Sequence, residues 1–441
     1  MKSPHNLLTV SLVALFGLPV WAQTVRLDAE TSARMAIQAS QLTVSAADRV
    51  EASTSAVEAA DAARLPVLSA NADVVQRSAI PEFGVATDDP SEPVFILFPN
   101  IESTYSADLR LSQPIYTGGS IAANREAARL DQSAATWSQS LTALDLSYMA
   151  RTHYWSAVAA AASVDVAAAQ VTRTRRLLDD ARALRDAGMA VNADVFAAEA
   201  RTASAEVDLI RAETEEEKAL AALRSLLGVE PTAAVVLADT ETDEVPTAPR
   251  ELEDLQPEAL EKRPELMVTD ARIQGLGARA KAANAARIPS VGLAAHWRYA
   301  RPNERYLPPV DEANDSWGIS LAASWRFFDG NRTKAQVATV NAEQSALRAD
   351  RGELERQILL DVETARLELR AALEAVSAAD ASAAAAEAWE EASSERYSAG
   401  LAMLSELLDA QADLTAAEVA QVKTRVSAWM AEATLRRAVG R

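Results

Sequence analysis

Cysteine is absent from all 441 residues. That excludes a disulfide framework, a thiol nucleophile and a lipidated cysteine behind a leader. Histidine is scarce: His5 falls in the leader described below, leaving only His153 and His296. No nucleophile–base motif stands out. Gly275-Leu276-Gly277 lies in a helical stretch after no strand, so it is not a nucleotide loop. The sequence therefore predicts no enzyme, no cofactor and no metal site. His153, beside Tyr154 and Trp155, reads as a packing residue. Basic charge is also short: 43 Lys and Arg stand against 63 Asp and Glu, a net charge of −20. So acidic a chain is a poor nucleic-acid binder. Long apolar runs are missing after the leader. The richest, Ala157–Ala169, is mostly alanine and broken by Ser163 and Asp165, so no membrane-spanning helix is predicted.

Residues 1–22 carry Lys2, the apolar run Leu7–Val20 and the small-residue site Val20-Trp21-Ala22. This reads as a cleaved secretory signal, too short for an anchor. Beyond it the chain repeats itself. Tyr116-Thr117-Gly118-Gly119 recurs as Phe328-Asp329-Gly330-Asn331, and Ala187-Gly188-Met189-Ala190 as Ala399-Gly400-Leu401-Ala402. Leu227-Gly228 recurs as Val439-Gly440, all three at a spacing of 212 residues. Upstream, Ala63-Arg64-Leu65-Pro66 recurs as Ala286-Arg287-Ile288-Pro289 at a spacing of 223, so one loop of the first copy is longer by 11. The expected organisation is a tandem duplication: 1–22 leader, 23–228 first repeat, 229–255 linker, 256–441 second repeat.

Four segments alternate apolar with polar. They are Leu68–Val74, Tyr105–Leu111, Val291–Tyr299 and Trp317–Phe327. In the last, Trp317, Ile319, Leu321, Ala323, Trp325 and Phe327 take one face and Gly318, Ser320, Ala322, Ser324 and Arg326 the other. One such segment fits an ordinary half-exposed sheet. Four of them behind a secretory signal, with Arg110, His296, Arg298 and Arg326 on the polar face, predict transmembrane barrel strands, apolar to lipid and polar to the lumen. The loops joining each pair, Arg77–Ser103 and Ala300–Asp315, are polar and carry prolines. Four strands cannot close a barrel, and lipid tolerates no open sheet edge, so the chain must oligomerise.

Neither proline nor glycine interrupts Ser120–Asp186, a helix of about 100 Å at 1.5 Å per residue. Leu130, Ala134, Trp137, Leu141, Leu144, Tyr148 and Trp155 predict its coiled-coil seam. Thr333–Ser398 repeats it with Leu347, Leu354, Ile358, Val362 and Leu369, interrupted only by Gly352. Gly188 and Gly400 each end a long helix, and a return helix follows. Shorter helices are predicted at Asp28–Leu65 and Gln256–Ile288. Pro114 is expected to stop ladder pairing, Gly118, Gly119 and Gly330 to swing strand into helix, and Ser120 and Asp329 to cap the long helices.

Strand, then Gln113-Pro114-Ile115-Tyr116-Thr117-Gly118-Gly119, then long helix, Ala187-Gly188 and return helix, all duplicated, resembles the TolC family of outer-membrane channels. The resemblance covers nearly all of the chain after the leader. It implies an α + transmembrane β fold: a homotrimer whose 12-stranded outer-membrane barrel takes four strands from each protomer. A long α-helical coiled-coil tunnel then crosses the periplasm to a closable end. Function follows as a passive exit duct for small molecules or secreted protein. Its implied partners are outer-membrane lipid, a periplasmic adaptor and an inner-membrane pump, either a proton-driven RND pump or an ATP-driven ABC transporter. Gly400–Asp409 resembles the family's second periplasmic turn, where acids matching Glu406 and Asp409 point into the closed entrance. Tyr397 and Asp194 match the family's gate latch, while its arginine lock maps to Ala402. A structural periplasmic coiled-coil protein without channel activity also accounts for the helices, but not for the strands between them.

Overall fold

The computed structural model describes residues 25–86, 88, 90–91, 94–238 and 244–441; the predicted leader lies outside them. The chain folds as two compact units. One comprises residues up to 40, 145–251 and 364–437; the other comprises 41–144, 252–363 and 438–441.

The second unit holds a four-stranded antiparallel sheet, β2 (Val67–Gln76), β5 (Ser103–Tyr116), β7 (Ser290–Arg301) and β8 (Asn314–Ser324), in that order. Side chains alternate along each strand, so register decides which residues share a face. Ala70, Leu109, Trp297 and Trp317 form one rung; Leu68, Leu111, Ala295 and Ile319 form another. The apolar set of every strand thus falls on one side. It is uncovered, with Leu68 70 %, Val74 80 % and Trp317 67 % exposed. Among the described residues, β2 and β8 each pair on one side only.

Three details differ from the sequence reading. β8 ends at Ser324, so Trp325, Arg326 and Phe327 lie past the ladder. The Trp325 indole N–H instead donates to the Arg287 carbonyl at 3.0 Å, taking the chain out of the sheet. Pro114 does not stop β5: it pairs in register with Gly292, and a bulge at Ile115 carries the strand on to Tyr116. The first loop is not irregular throughout, since β3 (Phe83–Ala86) and β4 (Val94–Phe98) form a hairpin within it.

The turn from β5 into α3 (Ser120–Asp186) puts Gly118 at φ +63° and Gly119 at +88°. α7 (Arg332–Ser398) follows Gly330 at +64° and Asn331 at +68°. Asp329 accepts the Thr333 N–H at 2.9 Å and caps α7 as predicted. The first long helix is capped one turn earlier than predicted: Thr117, not Ser120, reaches the Ile121 N–H at 3.5 Å. The remaining helices here are α2 (Gln41–Ala62), α5 (Leu252–Lys262) and α6 (Pro264–Asn284). The shorter predicted helices are therefore each broken, the second at buried Arg263. Its guanidinium donates to the Ala438 carbonyl at 3.2 Å and pairs with Glu265 at 2.9 Å.

The first unit holds α1 (Ala29–Ala39), α4 (Asn192–Leu227), most of α8 (Leu404–Val439) and the remaining lengths of α3 and α7. β1 (Val25–Leu27) pairs in parallel with β6 (Val235–Leu237), so the predicted linker contributes a strand. Their core gathers Leu27, Ala36, Ala150, Tyr154, Trp155, Leu223 and Leu237. Trp155 stacks on Trp429 with ring centroids 4.8 Å apart. His153 is exposed, not packed; the ring that buries is its neighbour Tyr154. The predicted seam is also shifted in part. Ala127, Ala134, Leu146, Ala150 and Ala157 bury while Trp137 is exposed. Ile358, Val362 and Leu369 are buried as predicted.

A Cβ at Gly118 would come within 2.7 Å of the Ile288 Cβ and 2.9 Å of the Ala285 carbonyl, whereas one at Gly119 meets nothing within 4 Å. Both positions are left-handed, which costs an L-residue about 1–2 kcal/mol. Gly119→Ala should cost about that much stability and Gly118→Ala distinctly more. Equal shifts of the urea midpoint for the two variants would contradict the close packing of Gly118 against Ile288 and Ala285.

Candidate functional site

Two surfaces carry the polar chemistry. The first is the face of the sheet opposite the apolar band. Its rungs are Ser69, Arg110, His296 and Gly318, then Asn71, Asp108, Arg298 and Ser316. Arg298 lies 3.5 Å from Asp108 and 3.5 Å from Glu304. The His296 ring lies over Gly318, whose missing side chain makes the room: a Cβ there would be 2.6 Å from the ring. Of the four predicted lumen residues, Arg110, His296 and Arg298 share this face. Arg326 does not, because the strand has already ended.

The second surface is the pair of helix turns in the first unit. Gly188, at φ +75°, ends the first helical run, and Gly400, at +70°, ends α7. Each return helix begins four residues later, and its third residue is acidic: Asp194 in α4, Glu406 in α8. A cavity of about 730 Å³ lies between the turns, lined mainly by Leu184, Met189, Ala402, Met403 and Leu408, with Asp194 and Tyr397 at its polar end. Beneath it pack Leu177, Ala181, Val195, Ala198, Leu404 and Leu407.

The acids of these turns have different partners. Asp194 accepts the Val191 N–H at 3.3 Å, closing the start of its own helix. Glu406 is hydrogen-bonded to Arg396, in the last turn of α7. Asp409, one helical turn further on, is exposed and has no ion-pair partner among the described residues. The Tyr397 hydroxyl is buried and makes no hydrogen bond among the described residues, so the predicted bond to Asp194 is not formed in this structure. Burial, and then the charges of Asp194 and Asp180, push the Tyr397 phenol above its ordinary pKa. Ala402, in place of the family's arginine lock, lines the same cavity. Sequence reasoning misses Arg396. The available signal is a basic residue in the last turn of a helix whose successor begins with an acid.

The residues around α1 form a separate charged cluster. Glu30 lies 3.1 Å from Arg151 and 2.6 Å from Arg436, and Arg436 also pairs with Glu432. Its partial burial opposes ionisation, but the two arginines outweigh it and hold the carboxyl below its usual value. This cluster ties α1 to α3 and α8.

Against this geometry, the sequence model of a family described as "Outer membrane efflux protein" matches residues 33–229 and 255–441. The chain belongs to the outer membrane efflux protein family. It is 29 % identical over 308 residues to Protein CyaE of Bordetella pertussis, covering 64 % of this chain and 60 % of that one. The match thus spans less than two thirds of that relative. The fold is that of the outer membrane protein VceC from Vibrio cholerae, with TM-score 0.75 and 20 % identity over 93 % of this chain and 96 % of VceC. It is equally that of the open-state MtrE outer membrane channel of Neisseria gonorrhoeae, with TM-score 0.74 and 19 % identity over 93 % and 88 %. Both family and fold are those of transport channels.

An unpaired buried hydroxyl destabilises its site, so Tyr397→Phe should raise stability by about 1 kcal/mol where a satisfied tyrosine would lose stability. A raised phenol pKa contributes stability that is complete below the ordinary tyrosine pKa and is lost as pH climbs through the raised value. The stability loss of the native protein in strong alkali should therefore be smaller in the Phe variant. Thermal melts at neutral and alkaline pH test both; a less stable variant at neutral pH would mean that the hydroxyl has a partner.

Proposed function

We propose that this protein is the outer-membrane exit duct of a tripartite export system, acting as a passive homotrimeric channel. The observation that carries the reading is the sheet: one continuous apolar face and two strands, β2 and β8, with an unpaired edge. In lipid an open edge leaves rows of N–H and C=O groups unsatisfied, so only a closed ring is stable. Four strands fall short of the smallest barrels, and three copies make twelve. The apolar face would then meet lipid, and Arg110, His296 and Arg298 would line an aqueous lumen.

The tandem duplication is part of the same proposal, with repeats over 23–228 and 256–441 joined by 229–255. In its favour, α3 and α7 are both 67 residues long and α4 and α8 both 36. The four helices begin and end 212 residues apart, and so do the left-handed positions Gly188 and Gly400. Two matched segments of the family model fall on the same halves.

The helix turns would form the periplasmic entrance. Glu406 and Asp409 from three copies would ring it with carboxylates, and Tyr397 with Asp194 would serve as latch. Asp194 accepts the Val191 N–H through Oδ2 alone, so its other oxygen could take the Tyr397 hydroxyl. Exposed Met189, Val191, Phe196, Leu401 and Met403 surround the turns, an apolar surface suited to a periplasmic adaptor. A partner that binds the opened helices better than the closed ones would open the duct. Energy would come from an inner-membrane pump, proton-driven for small molecules or ATP-driven for protein.

Purified from membranes, the protein should elute with the mass of three protomers and produce discrete conductance steps in a planar bilayer. A monomer that gives none would favour the structural coiled-coil reading.

A further inference from the structure

The two return helices start alike but their acids are treated differently. Asp194 and Glu406 occupy the same third position of α4 and α8. In the first hairpin the nearby arginines are already committed: Arg185 to Asp186 at 2.6 Å and Arg182 to Glu199 at 2.8 Å. Asp194 has no ion-pair partner among the described residues and accepts a backbone N–H instead. In the second hairpin Arg396 reaches from the end of α7 to Glu406, and the two are held by a direct ion-paired hydrogen bond. Arg396 sits in the last turn of its helix and Glu406 in the first turn of the next, each at the end where the helix dipole favours its sign. The pair is thus pre-positioned by the turn and needs no neighbouring chain. Its net charge is zero. One turn beyond, Asp409 is exposed and unpaired among the described residues.

We propose that Arg396 is a selectivity-determining residue of the entrance: it neutralises Glu406, so that Asp409 supplies the acting negative charge at the second turn. This rests on the reading of the turns as the entrance of a trimeric channel. Two carboxylates three residues apart on one helix face give six charges in a threefold ring if both are free. With Glu406 paired, the ring carries three. Cation preference is then set by a balance that a single basic side chain controls, and the residue at 396 becomes the place to tune it.

The experiment is the reversal potential of the purified trimer in a KCl gradient across a planar bilayer. Four variants are needed: Asp409→Asn, Glu406→Gln, Arg396→Gln and the double variant Arg396→Gln with Glu406→Gln. All three positions are partly or fully exposed, and each variant is first checked for wild-type elution. Arg396→Gln should raise the potassium-to-chloride permeability ratio at least about fivefold, the factor given by just one of the three uncovered unit charges at about 4 Å in water. Glu406→Gln should lower it, since it leaves Arg396 uncompensated. The double variant should return close to wild type, because it replaces a neutral pair by two neutral groups. If Arg396→Gln changes nothing and the double variant matches Glu406→Gln alone, Arg396 does not govern the charge and the proposal is overturned. If Asp409→Asn leaves the ratio unchanged, the turns are not the selective entrance, and the underlying reading fails with it.

Discussion

The constraint on which the rest depends is the unpaired backbone along β2 and β8. Every other strand edge of this sheet is satisfied, and the register places an uninterrupted apolar band on one face. Such a sheet is stable in water only if the band is covered, and stable in lipid only if the edges are closed. A ring closed between copies would meet the second demand, and surrounding lipid would meet the first. The turns that follow the strands are built for the same end. Their left-handed residues turn the chain from β5 into α3 and from the segment after β8 into α7, each a helix of 67 residues.

The helical portion is held differently. Its interior is largely alanine, with a few large side chains such as Tyr154, Leu223 and Ile358 filling particular layers. Alanine contributes little apolar area per residue, so close approach and cross-helix polar pairs carry more of the specificity. Arg173 with Glu418 at 2.7 Å and Arg425 with Asp380 at 3.0 Å are examples. Pairs that stay partly open to solvent, as these do, add little stability singly. Their value is in fixing which face meets which. At the turns Tyr397 has no hydrogen-bond partner among the described residues, while Glu406 has one.

Much of this is legible in the sequence, because period-2 alternation and long proline-free stretches are each imposed by one dominant force. The strands lie within a few residues of where alternation places them, and Asp329 caps α7 as its chemistry suggests. The misreadings occur where two forces compete. Trp325 and Phe327 continue the alternation of β8, but the Trp325 indole is claimed by the Arg287 carbonyl and the strand stops. The hairpin β3–β4 escapes a reading by period because Val94–Phe98 is apolar on both faces. Thr117 takes the place of Ser120 as cap because helix starts cannot be placed to one residue by composition. His153 reads as buried because its neighbours are aromatic, yet helical phase turns it outward. Arg396 carries no local pattern of its own: its partner is ten residues away, across a turn.

The absence of cysteine makes the central claim open to a direct measurement. Single cysteines are placed on the polar side of β2, at Ser69 or Asn71, and combined with cysteines on the same side of β8, at Ser316, Ser320 or Ala322. Mild oxidation in native membranes is followed by non-reducing electrophoresis. Closure of the sheet between copies predicts at least one pairing that gives a ladder ending at three protomers, dependent on both cysteines. No intermolecular band at any register, or a series that runs on beyond three, would contradict it.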